Sequence, residues 1–435
     1  MKHTAPLVIF LLLARLLPAQ DTLSLEEVIS IGMENNYNIK IARNDADIAQ
    51  NNYTLGNAGF LPTVDVLASQ NYDIQDSELN FASGDNQVVN GARSNNFNAS
   101  ALLNWTIFDG TRMFITYDRL AEIRQASQLD AQIVLENTIA DISTAYYTVI
   151  LEQERAEVLQ NSVELSDERL RLARTQYEVG KASKLEFLAA QVDYNADTSA
   201  LIQQKERLND AKVNLNTLLA RSPETTVVVP NQIDANLELS LEALREKALS
   251  TNPNLLLARR NQSISYLEMR EFQADLLPQL SVNLGYNYAT SEAEAGFVLG
   301  RRSNGVGYGI SARMNLFDGF NRRRQIQNAQ ILIENSEQQM EQLKLQLNAS
   351  LQTTFVDYTN SIILLDLEGE NLNIAKETAE IALERYRLGR SNALELREAQ
   401  VNAVEAESRL INAVYSTKIA EIELMRLSGQ ILSRN

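Results

Sequence analysis

The stretch FNASALLNWTIFDGTRMF, residues 97–114, changes character in its middle. Up to Ile107, apolar Phe97, Ala99, Ala101, Leu103, Trp105 and Ile107 alternate with Asn98, Ser100, Asn104 and Thr106. A period of two sustained over about ten residues is a strand with one apolar face. After Phe108-Asp109-Gly110 the alternation stops, and neither Gly nor Pro occurs between Thr111 and Val179. One Phe-Asp-Gly corner therefore joins a strand to a very long helix. Upstream, Val64, Val66, Ala68 and Tyr72 alternate with Thr63, Asp65, Ser69 and Asn71. The expected hairpin has strands at about 62–72 and 96–108.

The whole order of features recurs. LSLEEVISIGMENNYNI (23–39) matches LSLEALREKALSTNPNL (239–255), and GFLPTVDV (59–66) matches DLLPQLSV (275–282). The corner returns as Phe317-Asp318-Gly319, and QYEVGKASKLEFLAAQV (176–192) matches RYRLGRSNALELREAQV (385–401). The offset is 216 before the strands and 209 after them, so a seven-residue difference, expected as a longer loop, falls between Pro62 and Phe108. The chain reads as a tandem duplication: residues 21–221, a linker at 222–239, and residues 240–435. Leu280, Val282, Leu284, Tyr286 and Tyr288, then Tyr308, Ile310, Ala312, Met314 and Leu316, give the second hairpin, at about 279–288 and 306–317. The opposite faces carry Asn, Ser and Gly. At ~3.4 Å per residue and ~40° tilt, such strands cross roughly 25 Å of hydrocarbon.

The helices show a seven-residue period. One seam reads Ile142, Val149, Ala156, Val163, Leu170, Tyr177, and a second reads Leu151, Val158, Leu165, Leu172, Val179. Their counterparts are Leu351, Tyr358, Leu365, Leu372, Ala379, Tyr386 and Leu367, Ile374, Ile381, Leu388. A heptad period underwinds helices into a left-handed supercoil. Two seams per helix suit a neighbour on each side, as in a ring of helices. Each long helix, ~65 residues and roughly 100 Å, is matched by two shorter ones stacked end to end.

Composition bounds the function. The chain has 435 residues, no Cys, and one His, His3. Residues 1–20, MKHTAPLVIFLLLARLLPAQ, read as a secretory signal peptide, with Lys2 before an apolar run and Pro18-Ala19-Gln20 at its end. A mature chain without His or Cys lacks the commonest general bases and metal ligands, so neither an enzyme nor a cofactor is expected. The net charge of −17 becomes −19 when Lys2 and Arg15 leave, which argues against nucleic acid as a partner.

The duplicated unit, the two Leu-Pro strand openings, the two Phe-Asp-Gly corners and the two Tyr-x-x-Gly turns together resemble the TolC-like outer-membrane efflux proteins over nearly the whole mature chain. That resemblance implies a homotrimeric exit duct, mainly α with membrane β, in which a β-barrel in the outer membrane continues into a periplasmic α-barrel. It implies as partners a periplasmic adaptor and an inner-membrane pump, and as cargo small molecules or proteins. Strand chemistry leads independently to a trimer: four strands cannot close, open edges are not tolerated in lipid, and three chains give twelve strands. The alternative, a periplasmic coiled-coil scaffold, has no place for the four alternating runs.

Tyr72, Phe97, Trp105, Phe108, Tyr286, Tyr288, Tyr308 and Phe317 are the expected membrane-interface residues. By the resemblance, Val179-Gly180-Lys181 and Leu388-Gly389-Arg390 form adaptor-contacting tips. By the same match, Glu186, Glu395 and Glu398, with Tyr386 and Arg390, line a periplasmic gate. The chain departs from the family pattern twice: a basic residue follows each tip glycine, and Ser391 stands where the family has arginine, with Arg390 adjacent and Tyr386 kept.

Overall fold

The computed structural model describes residues 22–296 and 298–432, so the expected signal peptide lies outside the described residues. The chain forms two compact units, one from Met1–Ile41, Ile133–Asn252 and Gln346–Asn435, the other from Ala42–Gln132 and Pro253–Leu345. Among the described residues no helix is long and apolar enough to cross a membrane.

The second unit holds one antiparallel sheet, ordered β1 (Thr63–Asn80), β2 (Asn86–Asp109), β3 (Gln279–Ala293), β4 (Gly300–Arg313). Its register sorts side chains by face. Val64, Leu103, Leu284 and Tyr308 share one rung on the apolar face, and Thr63, Asn104, Asn283 and Gly309 the adjacent rung on the polar face. β1 and β4 are edges, each paired on one side only. A bulge interrupts the β2–β3 ladder, where Thr106 pairs with Ser281 and Phe108 with Leu280. Ile107 is the extra residue, and Phe108 is brought onto the apolar face.

All four strands depart from the bounds read in the sequence, with β3 running on to Ala293 and β4 starting at Gly300. β1 runs on to Asn80 and β2 starts at Asn86. β2 leaves β3 after Ser94↔Ala293, so the rest of the first hairpin is a two-stranded ribbon closed by Asn80↔Asn86. The seven extra residues are paired backbone and not a longer loop. A ribbon with no neighbouring layer buries little, here only Ala92, and its sequence has no reason to alternate. β4 ends at Arg313, opposite Gln279, because β3 begins there and leaves Met314–Phe317 without a pairing partner.

Each corner places two consecutive residues in the left-handed region: Gly110 (φ 73) and Thr111 (φ 74), then Gly319 (φ 69) and Phe320 (φ 66). The long helices α3 (Arg112–Glu178) and α7 (Asn321–Arg387) follow, 67 residues each. Near the first corner, Arg112 meets Asp275 at 3.0 Å and Arg119 meets Glu271 at 2.9 Å, linking α3 to α6 (Pro253–Ala274) and the residue after it.

In the first unit, α1 (Leu25–Asn35) starts with a Ser24/Glu27 capping box. Val28 and Ile29 pack with Ile139, Ile142, Tyr146, Val149 and Ile150 of α3 and with Leu215 and Leu219 at the end of α4 (Lys184–Leu218). The linker joins this core through buried Val227 and Val229. It is held by Asn216 donating to the Thr225 carbonyl (2.8 Å) and by the Tyr358 hydroxyl donating to the Asn236 carbonyl (2.6 Å).

Two buried asparagines occupy equivalent joints. Asn36, between α1 and α2 (Tyr37–Asn52), donates to the Leu218 carbonyl (2.8 Å) and accepts from the Asn38 amide (2.8 Å). Asn252, between α5 (Leu241–Thr251) and α6, donates to the Leu427 carbonyl (2.9 Å) at the end of α8 (Ala393–Leu427). Each satisfies a helix-end carbonyl that has no intrahelical partner. Replacing either with Ala is expected to cost about 1–3 kcal/mol. Chemical denaturation checks this; an unchanged midpoint for both variants would remove the joint from the stabilising features.

The two seams of α7 differ in cover. Ile142, Val149, Leu151 and Val158 of α3 are buried, as are Leu351 and Tyr358 of α7. The second seam of α7 lies open along its length: Leu367 is 50% exposed, Ile374 56%, Ile381 54% and Leu388 66%.

Candidate functional site

Both tips are built alike, because both helix ends obey the same capping chemistry. Gly180 (φ 75) and Gly389 (φ 67) take the left-handed position after α3 and α7. The Lys181 amide closes on the Gln176 carbonyl and the Arg390 amide on the Arg385 carbonyl, both at 2.8 Å, completing a Schellman turn. Lys181 and Arg390 thus sit where cations meet the negative end of a helix dipole. Val179 and Leu388 stand exposed beside the glycines, with Leu185 and Leu394 exposed just beyond.

The acidic residues open the return helices. Ser183 caps α4 and accepts from the Glu186 amide, and Asn392 caps α8 and accepts from the Glu395 amide (2.8 Å). Glu395 is further held by Ser391 Oγ (2.7 Å) and by Arg385. Its cation is therefore Arg385, one turn inside α7, and not Arg390. Glu395, Glu398 and Arg385 line one cleft of 340 Å³. Glu186, Lys181 and Tyr386 line another of 640 Å³, which Arg390 does not touch. Burial pushes the Tyr386 hydroxyl above its usual pKa; Glu186 adds to the shift and Arg169 opposes it.

Four residues outside the expected set hold the tip together. Buried Arg169 pairs with Asp193, bridging α3 and α4. Arg397 grips Asp197 with two bonds of 2.7 and 2.8 Å, bridging α8 and α4. Asp193 and Asp197 are one turn apart on α4, and that spacing is their only trace in the sequence.

In the strand unit, the register puts Phe97, Trp105, Phe108, Tyr286, Tyr288 and Tyr308 on the apolar face of the sheet, together with Tyr72. Trp105 Nε1 donates to the Phe60 carbonyl (2.9 Å). Phe317 lies past the end of β4, in edge contact with Phe320 at 5.4 Å.

Comparison with known proteins gives one answer. The family model "Outer membrane efflux protein" matches residues 28–221 and 244–430. The chain is 20% identical to outer membrane protein TolC of Escherichia coli strain K12, over 99% of this chain and 87% of that one. It is 22% identical to protein CyaE of Bordetella pertussis, over 76% of this chain and 70% of that one. The Campylobacter jejuni CmeC outer membrane channel shares the fold with a TM-score of 0.77 at 17% identity, covering 94% of this chain and 86% of the other. The two-faced sheet, the paired corners and the long heptad helices are thus those of a known architecture, and the chain belongs to the outer membrane efflux protein family, as an outer-membrane exit duct with its helical part in the periplasm.

Proposed function

We propose that three copies close into one duct, with twelve strands around a water-filled lumen and the long helices forming an α-barrel. The observation that carries this reading is the pair of uncovered surfaces on a single chain. β1 and β4 each leave a row of backbone groups unpaired, which in hydrocarbon costs several kcal/mol per group unless a neighbour's edge supplies partners. In the helical unit, α7 exposes Leu367, Ile374, Ile381 and Leu388, while α4 exposes Leu185, Leu188 and Val192 at three- and four-residue spacing, and Ile202 ten residues on. Two different apolar stripes on one chain suit head-to-tail contacts, which close a ring by rotation.

Within that duct, Tyr72, Phe97, Trp105, Phe108, Tyr286, Tyr288, Tyr308 and Phe317 meet the membrane. The exposed tips at Val179-Gly180-Lys181 and Leu388-Gly389-Arg390 receive a periplasmic adaptor, which links the duct to an inner-membrane pump. Glu186, Glu395 and Glu398, three copies of each, make an acidic mouth, with Tyr386 and Arg390 beside them. Convergent carboxylates favour cations and divalent ions. Because Arg385 and Ser391 already engage Glu395, Glu398→Gln is expected to lower cation preference more than Glu395→Gln. Arg385→Gln should raise cation preference and strengthen divalent block from the periplasmic side severalfold. Single-channel recordings in planar bilayers decide this, and identical selectivity and block in all three variants would return these glutamates to ordinary helix caps.

A further inference from the structure

We infer that the second strand-to-helix corner binds the anionic headgroups of phospholipids in the periplasmic leaflet of the membrane. The inference rests on the membrane-surface position proposed above for Phe317. Past the end of β4 the chain exposes Leu316 (87%), Phe317 (71%) and Phe320 (66%), with Met314 half open beside them. The rings of Phe317 and Phe320 meet edge to face, forming one wedge. Phe320 holds this place with φ 66, a conformation that bulky side chains avoid. After Asn321 come Arg322, Arg323 and Arg324.

Charge at the corner is unbalanced. Asp318 is the only acid between Glu294 and Glu334. It is engaged by Arg322, whose amide donates to Asp318 Oδ2 at 2.9 Å and whose Nε lies 3.8 Å from the same oxygen. Arg323 and Arg324 are exposed and have no ion pair among the described residues. At the first corner, built on the same motif, the charge is paired within the chain: Arg112 holds Asp275, while Phe114, 58% exposed, packs edge-on against Phe60 at 4.9 Å. The two corners differ in whether their arginines find a carboxylate in the chain.

An occupant must therefore offer apolar surface and anionic oxygen side by side. A phospholipid does so, with acyl chains for the aromatic wedge and a phosphodiester for the planar guanidinium fork. The patch also continues the apolar face of the sheet, whose last rung at this end pairs Phe108 with Leu280 and Leu280 with Ala312. The chain as a whole carries −17, so the attraction is local to these arginines and not a property of net charge.

The full chain is reconstituted in nanodiscs of phosphatidylcholine and phosphatidylglycerol in equal amounts, and the lipids it retains are counted by native mass spectrometry. Retained phosphatidylglycerol should exceed phosphatidylcholine, and Arg323→Gln and Arg324→Gln should each reduce the excess about fivefold. Added inorganic phosphate should not displace the lipid. A ratio unaffected by both substitutions, or displacement by phosphate, overturns the lipid assignment. Separately, a fluorophore on Phe320→Cys should be quenched by lipid-phase quenchers. A protected label that cross-links to a neighbouring copy would make the corner a protomer contact instead. Quenching without any change in lipid ratio would leave the membrane position standing and sink the anion claim alone.

Discussion

Gly110→Ala should yield almost no folded, membrane-inserted protein, while Gly319→Ala should yield nearly as much as the parent. Both glycines have φ near +70°, which costs an L-residue about 1–2 kcal/mol. Their surroundings differ. A Cβ on Gly110 would lie 2.3 Å from the Ala274 carbonyl oxygen and 2.7 Å from Leu277 Cβ, so backbone must move. On Gly319 it would meet only Asn321 Nδ2, at 3.9 Å. The first substitution is expected to exceed about 4 kcal/mol, in the range reserved for special backbone sites and overpacking. Yield of heat-modifiable trimer in isolated membranes is the measurement. Equal yields from the two variants would show that the close approach at Ala274 is not part of the folded corner.

The double variant Ile374→Asp/Ile381→Asp should leave each chain folded yet unable to hold its neighbours. Both side chains are more than half exposed on the single chain, so its own core loses little. In the closed ring each becomes a carboxylate driven into an apolar seam, at several kcal/mol per site. Light scattering of the detergent-solubilised protein should find chains in place of trimers, and Ile374→Leu/Ile381→Leu should behave as the parent. A trimer that persists with both aspartates would place these residues on the water-facing side of the helix ring.

Where a buried or lipid-facing side demands a repeating pattern, the sequence was readable. In the proposed duct the membrane strands alternate because one face meets lipid and the other the lumen, and α3 and α7 keep heptads because neighbouring helices cover them. The ribbon beyond Ser94 was missed since nothing packs on it. The caps were visible in principle: Ser183-x-x-Glu186 and Asn392-x-x-Glu395 have the spacing of helix starts, yet an acidic residue at a helix start and one at a gate look the same in one dimension. Arg169–Asp193 and Arg385–Glu395 join different helices, and no local spacing rule reports such pairs. The unlike surroundings of two like Phe-Asp-Gly corners depend on what α6 brings beside Gly110, which a motif cannot disclose.

β1 and β4, of 18 and 14 residues, are open on one side in every newly exported chain. An open edge accepts any strand that reaches it, native or not. Maturation is thus a race decided by collision rates. For the proposed trimer, productive encounters need two further copies in register, whereas a wrong pairing needs only one exposed segment of any kind. Raising expression does not simply raise output, since it feeds both competitors. Slow supply near the membrane favours the native ring, and a sudden surplus favours precipitate. The same row of hydrogen-bonding groups that allows the duct to close sets a ceiling on how quickly a cell can make it.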